Sequence, residues 1–142
     1  MKRFPDPTQC KTQNETALRS DPMNAAVRYN FALALGRAGD VDAAQRQLEA
    51  ALESAPNLAD AHELLANLLM ARGQAADALP HYRAWVALRP ESAQAQFGLG
   101  SALAMIGERE AAIPHLQKAA TLGDAATRES AMRVLRELGV VR

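Results

Sequence analysis

The sequence is poor in cysteine, in aromatic residues and in long apolar runs, and each shortage argues against a class of protein. The single cysteine, Cys10, allows no internal disulfide bond, and aromatic residues make up 4% of the 142-residue chain. A lone cysteine is typical of a reducing compartment, so we expect a cytoplasmic location. No apolar run approaches the ~18 residues of a membrane-spanning helix, and the first ten residues lack the apolar core of a secretion signal.

The charges are balanced, which argues against a polyanionic partner. Sixteen basic residues face 16 acidic residues, for a formal net charge of +0. Binding to nucleic acid or to an anionic membrane surface would require a basic excess. We therefore predict neither nucleic acid nor membrane as a partner.

Proline, glycine and alanine recur along the chain at one fixed interval. The recurring columns are Pro22, Pro56 and Pro90; Gly39, Gly73 and Gly107; and Ala44, Ala78 and Ala112. A regular period of about 34 residues indicates one supersecondary unit stacked against copies of itself. Alanine and leucine dominate the apolar 49% of the chain, and both favour helix over strand.

Each unit reads as two helices joined by a turn. In the first unit, one helix is predicted over 25–38 from an apolar stripe at helical spacing: Val27, Phe31, Ala32 and Leu35. Gly39 is expected to end that helix in a left-handed conformation, and Asp40 is the N-cap candidate of the next. The second stripe is Ala44, Leu48, Ala51 and Leu52. Pro56 then ends the unit, because proline lacks the backbone N–H.

Small residues, large residues, glycine and proline at these offsets resemble the tetratricopeptide repeat family over residues 21–126. The resemblance implies an all-α, right-handed superhelical solenoid of three helix-turn-helix units with a capping helix at each end. Small residues where paired helices meet, such as Ala32 and Gly100, would let the helices approach closely. The predicted segments are a tail and capping helix in 1–20, repeats at 25–58, 59–92 and 93–126, and a closing helix in 127–142.

The sequence departs from the family pattern at several positions. Arg28, His62 and Gln96 replace a frequent tryptophan, and Asp124 stands where proline is expected. Trp85 occupies an alanine column. We expect Trp85 to be buried between units, with Gly98 making room for it; the alternative is a partly exposed residue in a partner contact.

No catalytic, metal or cofactor site is predicted. His81 and His115 are equivalent positions about one helix-packing layer, ~10 Å, apart, which is too far to share a zinc ion. We expect them to be solvated on the outer helices, and His62 to be buried and neutral. Gly98 and Gly100 suggest a glycine-rich loop but lack the preceding strand and the further glycine of a dinucleotide site.

The family resemblance implies that the first helices of the units line a groove that holds a peptide or a partner helix. We call the positions that map to it the groove residues: Tyr29, Leu33, Arg37, Asp60, Glu63, Asn67, Met70, Gln94, Phe97, Ser101 and Met105. The alternative is that Tyr29, Phe97 and Met105 only pack between units.

Family members that clamp the acidic C-terminus of a chaperone use lysine, asparagine and arginine at defined groove columns. In this sequence those columns hold Tyr29, Leu33, Leu64, Gln94 and Gly98. We therefore expect no binding to an acidic C-terminal tail.

The predicted function is that of a non-catalytic adaptor or scaffold, monomeric or weakly homodimeric, that binds a peptide or amphipathic helix of another protein. Two alternatives remain open: a dimeric secretion or assembly chaperone, and a small regulatory subunit that docks a catalytic chain. Array proteins usually bind other proteins, but the fold alone does not name the partner.

Overall fold

The computed structural model describes residues 25–142, and every regular element in that range is an α-helix. The chain divides into two compact units, which differ from the sequence repeats. The first unit ends at Leu58, and the second unit begins at Ala59 and includes more than one repeat. The helices are α1 (Ala25–Arg37), α2 (Val41–Ser54), α3 (Ala59–Ala71), α4 (Ala75–Leu88), α5 (Ala93–Met105), α6 (Arg109–Leu122) and α7 (Ala125–Glu137). The predicted N-terminal capping helix and Cys10 lie outside the described residues.

The described part of the first unit is one helix pair, in which α1 packs against α2. Ala32 of α1 and Ala44 of α2 are buried, as is Leu48. Alanine leaves room for close approach of the helices, and leucine fills the space beside it.

The second unit contains α3 to α7, and each helix packs against the next along the chain. In addition, α5 contacts both α3 and α7. The first helices of successive pairs therefore lie side by side, with α4 and α6 packed against them. This layer of first helices carries the site described below.

Close approach within a pair is confirmed at Gly100. A Cβ placed on Gly100 would lie 2.7 Å from Leu116 Cγ, nearer than Cβ atoms approach their neighbours in folded proteins. The backbone of α5 and the side chain of Leu116 on α6 are thus in direct contact. A residue larger than glycine at this position would require Leu116 or the helix backbone to shift.

Four glycines end helices in the same way, as the sequence predicted for Gly39. The φ angles of Gly39, Gly73, Gly107 and Gly139 lie between 76° and 90°. Each residue that follows one of these glycines donates its N–H to the carbonyl oxygen five residues earlier: Asp40 to Leu35 at 2.9 Å, Gln74 to Leu69 at 2.9 Å, Glu108 to Leu103 at 2.9 Å, and Val140 to Leu135 at 3.0 Å. This is the Schellman motif, which satisfies the free carbonyls of a helix end.

Side chains cap three of the helices at their N-termini. Asp40 Oδ1 accepts from the N–H of Ala43 at 3.2 Å, which confirms the predicted cap. Ser92 caps α5 in the same way, and Asp124 Oδ1 accepts from the N–H of Thr127 at 2.8 Å at the start of α7. The backbone hydrogen bond from Thr127 lowers the pKa of the Asp124 carboxyl. Asp124 therefore replaces the expected proline with a residue that starts a helix.

The spacing changes before α7. Helices α1, α3 and α5 begin at the evenly spaced Ala25, Ala59 and Ala93, but α7 begins at Ala125, two residues earlier than the same interval requires. Gly139 likewise falls two residues short of one full interval after Gly107. At this shortened spacing the buried Ala131 and Leu135 correspond to Leu99 and Leu103. Helix α7 thus repeats the pattern of a first helix with two residues removed.

Candidate functional site

A cavity of about 380 Å³ lies in the second unit, between α3, α4, α5 and α7. Ligand pockets typically have ~300–1,000 Å³, so the volume suits one large side chain or a short segment. Six of the groove residues line the cavity: Glu63, Asn67, Met70, Gln94, Phe97 and Ser101.

Six further lining residues are not groove residues: Tyr82, Trp85, Gly98, Ala126, Thr127 and Ser130. Tyr82 and Trp85 lie on α4, a second helix, which the resemblance places outside the groove. The one sequence signal was the size of Trp85 in an alanine column. The residues of α7 gave no such signal, because the shortened spacing moves them out of the evenly spaced columns.

The other groove residues do not line the cavity. Met105, at the end of α5, is 61% exposed, which contradicts the alternative that this residue only packs between repeats. Asp60 is exposed and lies 3.8 Å from the guanidinium of Arg89. On α1 of the first unit, Tyr29 and Leu33 are half-buried and Arg37 is exposed.

Trp85 is buried, with 5% of its surface exposed, so the expectation of burial is confirmed and the exposed alternative is wrong. The expectation that Gly98 makes room for Trp85 is wrong. A Cβ on Gly98 would collide with the ring of Tyr82, lying 2.7 Å from Cδ1. Gly98 therefore admits the tyrosine ring, and Trp85 packs beside that ring at a centroid distance of 6.3 Å.

A hydrogen bond fixes the Tyr82 ring in the cavity wall. Its hydroxyl donates to Oδ1 of Asn67 at 2.7 Å, which connects α4 to α3. The Tyr82 and Trp85 rings are nearly parallel, with an interplanar angle of 25°. The wall formed by α4 is therefore aromatic, buried and held in one orientation.

Glu63 sets the electrostatics of the cavity. Burial raises its pKa and the neighbouring Asp60 raises it further, whereas Arg89 opposes the rise. The same carboxylate acts on Tyr82, whose pKa burial and Glu63 together raise to about 12. A negative charge is therefore present beside the aromatic wall, in surroundings that solvate it poorly.

Ser101 contributes a polar atom that has no internal partner. Its Oγ is buried, and within residues 25–142 nothing forms a hydrogen bond with it. Buried hydroxyl groups in proteins are nearly always hydrogen-bonded, to protein or to water. Ser101 Oγ is thus a buried polar atom beside the cavity whose hydrogen bond the described residues do not supply.

The histidines form specific contacts, so the expectation that His81 and His115 are solvated is wrong. Both are half-buried. His81 Nδ1 lies 3.2 Å from Nδ1 of His62, which is itself buried. His115 Nδ1 lies 2.8 Å from Oε1 of Gln96, whose Nε2 donates to the carbonyl oxygen of Pro90 at 3.0 Å.

The Gln96 contacts determine the tautomer of His115. Because Nε2 of Gln96 donates to a carbonyl, its Oε1 faces His115 and must accept the proton on Nδ1. Burial lowers the pKa of His115, and the positive charges of Lys118 and Arg83 lower it further. The neutral ring with its proton on Nδ1 is therefore the favoured form.

Residues 25–142 offer neither a cluster of metal ligands nor a membrane-spanning helix. No group of three or more histidine, cysteine, aspartate or glutamate side chains in this part of the chain is placed to hold a metal ion. None of the seven helices described there has the length and apolar character needed to cross a membrane. Among the described residues, the cavity is therefore the candidate site.

Comparison with models of known protein families shows to which family the chain belongs. Residues 29–92 and 64–131 match the family model described as Tetratricopeptide repeat. The chain belongs to the tetratricopeptide repeat family. The predicted all-α repeat fold is confirmed by the helices of residues 25–142 and by the solved structures that the chain resembles.

Solved tetratricopeptide repeat structures superimpose on most of the chain. A crystal structure of MamA is 29% identical, with a TM-score of 0.74 over 82% of this chain and 65% of that one. MamA from Desulfovibrio magneticus RS-1 is 25% identical, with a TM-score of 0.73 over 94% of this chain and 81% of that one. The first TPR of Spaghetti (RPAP3), bound to the HSP90 peptide SRMEEVD, is 18% identical. Its TM-score is 0.72 over 84% of this chain and 93% of that one.

The chain spans 65% of the length of the first MamA structure and 63% of a second, to which it is 32% identical. No curated protein matches the sequence at a significant level. The comparisons therefore establish the family and the fold of a protein-interaction module, and the cavity is the feature from which a more specific function can be inferred.

Proposed function

We propose that this protein is a non-catalytic adaptor or scaffold that holds a peptide or helical segment of another protein against the first helices of its second unit. The observation that carries this proposal is the cavity of about 380 Å³. Helices α3, α5 and α7 line it, and α4 forms its aromatic wall. Aromatic and methionine side chains beside small polar ones are typical of surfaces that recognise peptides.

The six groove residues that line the cavity form the proposed binding site. Phe97 and Met70 supply apolar contact area, and Asn67, Gln94 and Ser101 supply hydrogen-bonding groups around it. The first TPR of Spaghetti, bound to a peptide in its structure, supports the idea that a domain of this fold can hold such a segment. The roles of Tyr29, Leu33 and Arg37 in the first unit stay predictions from the sequence.

Selection from a library of random peptides displayed on phage tests the proposal. We expect the wild-type chain to enrich a family of related peptides and Phe97→Glu to lose them, because the variant places a charge in the cavity wall. Leu122→Glu is the matched control, since it adds the same charge at an exposed apolar position of α6 that is neither a groove residue nor part of the cavity. Circular dichroism checks that both variants remain helical.

Equal enrichment by the wild type and by Phe97→Glu would show that peptides bind elsewhere. Binding of a synthetic selected peptide is then followed through the fluorescence of Trp85, the only tryptophan in the chain, because it lines the cavity.

The cytoplasmic location, the monomeric or weakly dimeric state and the absence of a nucleic-acid partner remain predictions. Light scattering tests the oligomeric state.

A further inference from the structure

Among the described residues, one charged group lines the cavity of the second unit. It is Glu63, which carries a charge at neutral pH. No lysine or arginine of residues 25–142 lines the cavity, and the other walls that these residues form are apolar, aromatic or neutral and polar. An occupant therefore meets a negative charge that the cavity itself does not neutralise.

The surroundings of Glu63 do not supply a close cation either. Within residues 25–142, no hydrogen bond or ion pair satisfies its carboxylate. The charge of Arg89 lowers the pKa of Glu63, but the ion pair of its guanidinium is with Asp60, at 3.8 Å. Burial and the like charge of Asp60 both disfavour the ionised form, and a cation from outside would reverse this effect.

These conditions discriminate among the side chains that could enter. An apolar anchor would bury the Glu63 carboxylate without a partner, which is costly for a charged group. An acidic anchor would add a like charge next to it. A cationic anchor gains both the charge pair and, if its stem is long, contact with Phe97, Met70 and Trp85.

We propose that the cavity receives an arginine side chain of the partner segment, with its guanidinium at Glu63 and its stem along Trp85 and Phe97. This inference rests on the proposed function and names the anchor that the partner contributes. Arginine fits better than lysine because its planar guanidinium pairs with a carboxylate through two hydrogen bonds and keeps further N–H donors for neutral acceptors.

Neutral polar groups of the cavity supply the further acceptors that a guanidinium needs. A guanidinium has five N–H donors and requires several acceptors. Asn67 Oδ1 accepts one hydrogen bond from Tyr82 and retains a second lone pair, and Ser101 Oγ is buried without a partner among the described residues. The lining thus offers the charged Glu63 carboxylate and the neutral Asn67 oxygen, and Ser101 Oγ would become a further acceptor if its side chain turned toward the cavity.

The sequences of the peptides selected on phage test for the arginine anchor. We expect the peptides enriched by the wild-type chain to share an arginine flanked by apolar residues, and Glu63→Gln to lose that preference. The matched control is Glu110→Gln, which removes the same charge from α6, a helix that contributes nothing to the cavity. It separates a direct contact from a general change of net charge.

A double-mutant cycle then measures the contact. One selected peptide is synthesised with arginine and with citrulline, its neutral isostere, and titrated against the wild type, Glu63→Gln and Glu110→Gln. We expect citrulline to weaken binding about tenfold or more with the wild type and with Glu110→Gln, and much less with Glu63→Gln.

The outcomes separate this inference from the proposed function. Selected peptides without a basic residue, lost in Phe97→Glu, would overturn the arginine anchor and leave the groove as the site. A citrulline penalty that is the same in Glu63→Gln would also overturn it. Failure to enrich any peptide, or enrichment that Phe97→Glu does not change, would overturn both.

Discussion

The ring of Tyr82 occupies the space beside Gly98 in which a larger residue would carry its Cβ. Tyr82 belongs to α4 and Gly98 to α5, so this contact joins successive repeats of the second unit. The tyrosine hydroxyl is hydrogen-bonded to Asn67 on α3, so the ring cannot move aside freely. The absence of a side chain on Gly98 thus allows residues of α3, α4 and α5 to meet at the cavity wall.

Gly98→Ala is expected to destabilise the protein. Overpacking costs roughly 1–3 kcal/mol, and the better helix propensity of alanine returns at most about 1 kcal/mol. The control is Gly36→Ala, because a Cβ at Gly36 of α1 meets nothing within 4 Å and should be neutral or stabilising. Urea unfolding of both variants measures the difference, and a Gly98→Ala protein as stable as Gly36→Ala would contradict the packing described.

Tyr82 should make the protein sensitive to alkaline pH. The folded pKa of about 12 exceeds the usual value of 10, so folding favours the neutral phenol. Its contribution to stability is complete below pH 10 and is lost as the pH rises from 10 through 12. Tyr82→Phe should flatten the alkaline loss of stability, at a cost of about 1 kcal/mol at neutral pH for the hydrogen bond to Asn67.

Tyrosinate absorbance during an alkaline titration provides the second measurement. The chain has two tyrosines, so Tyr82→Phe leaves the ionisation of Tyr29 alone. The transition that disappears in the variant should be the one assigned to Tyr82. If that transition lies at the ordinary pH of a free phenol, the buried position of Tyr82 is wrong.

His115 should contribute stability that is lost in acid. Burial and the charges of Lys118 and Arg83 lower its folded pKa below the usual 6.5, so the unfolded chain binds the proton more readily. The contribution is complete above pH 6.5 and falls as the pH decreases from 6.5 toward the folded pKa.

His115→Asn isolates this effect, because the asparagine amide can donate to Gln96 from the position of Nδ1 but does not titrate. Unfolding of the wild type and the variant is compared on both sides of the transition. We expect the wild type to lose more stability than the variant on acidification. Equal losses would contradict a lowered pKa of His115 in the folded protein.

The peptide SRMEEVD should not bind in the cavity. It is held by the first TPR of Spaghetti, which serves as the positive control. Of the described residues that line the cavity, only Glu63 is charged, and its sign is the same as that of the peptide's carboxylates. Calorimetric titration is expected to show no saturation, and saturable binding at micromolar concentration would refute the expectation.

The sequence predicted the features that depend on one stretch of chain. Gly39 and Asp40 were identifiable because a positive φ and an N-cap are properties of adjacent residues. Six of the groove residues that the family resemblance implied lie on α3 and α5 and line the cavity, and their role in binding stays a prediction. The boundaries of the repeats as domains stay predictions.

Contacts between helices could not be predicted in the same way. The burial of Trp85 was foreseen, but the neighbour of Gly98 was not, because Tyr82 and Trp85 are three residues apart and either could have faced it. The hydrogen bonds of His81 and His115 depend on the side chain opposite them in the preceding helix. The part of α7 in the cavity was missed because two residues fewer separate it from α5 than the repeat requires.

The side-chain hydrogen bonds that join helices in the second unit connect residues close in sequence. Asn67 and Tyr82 are 15 residues apart, and His62–His81 and Gln96–His115 each span 19. Contacts of such low contact order form without closing long loops, and proteins built from them fold quickly. The internal contacts of each helix pair therefore require only residues of that pair, so folding can start at any pair and spread to its neighbours.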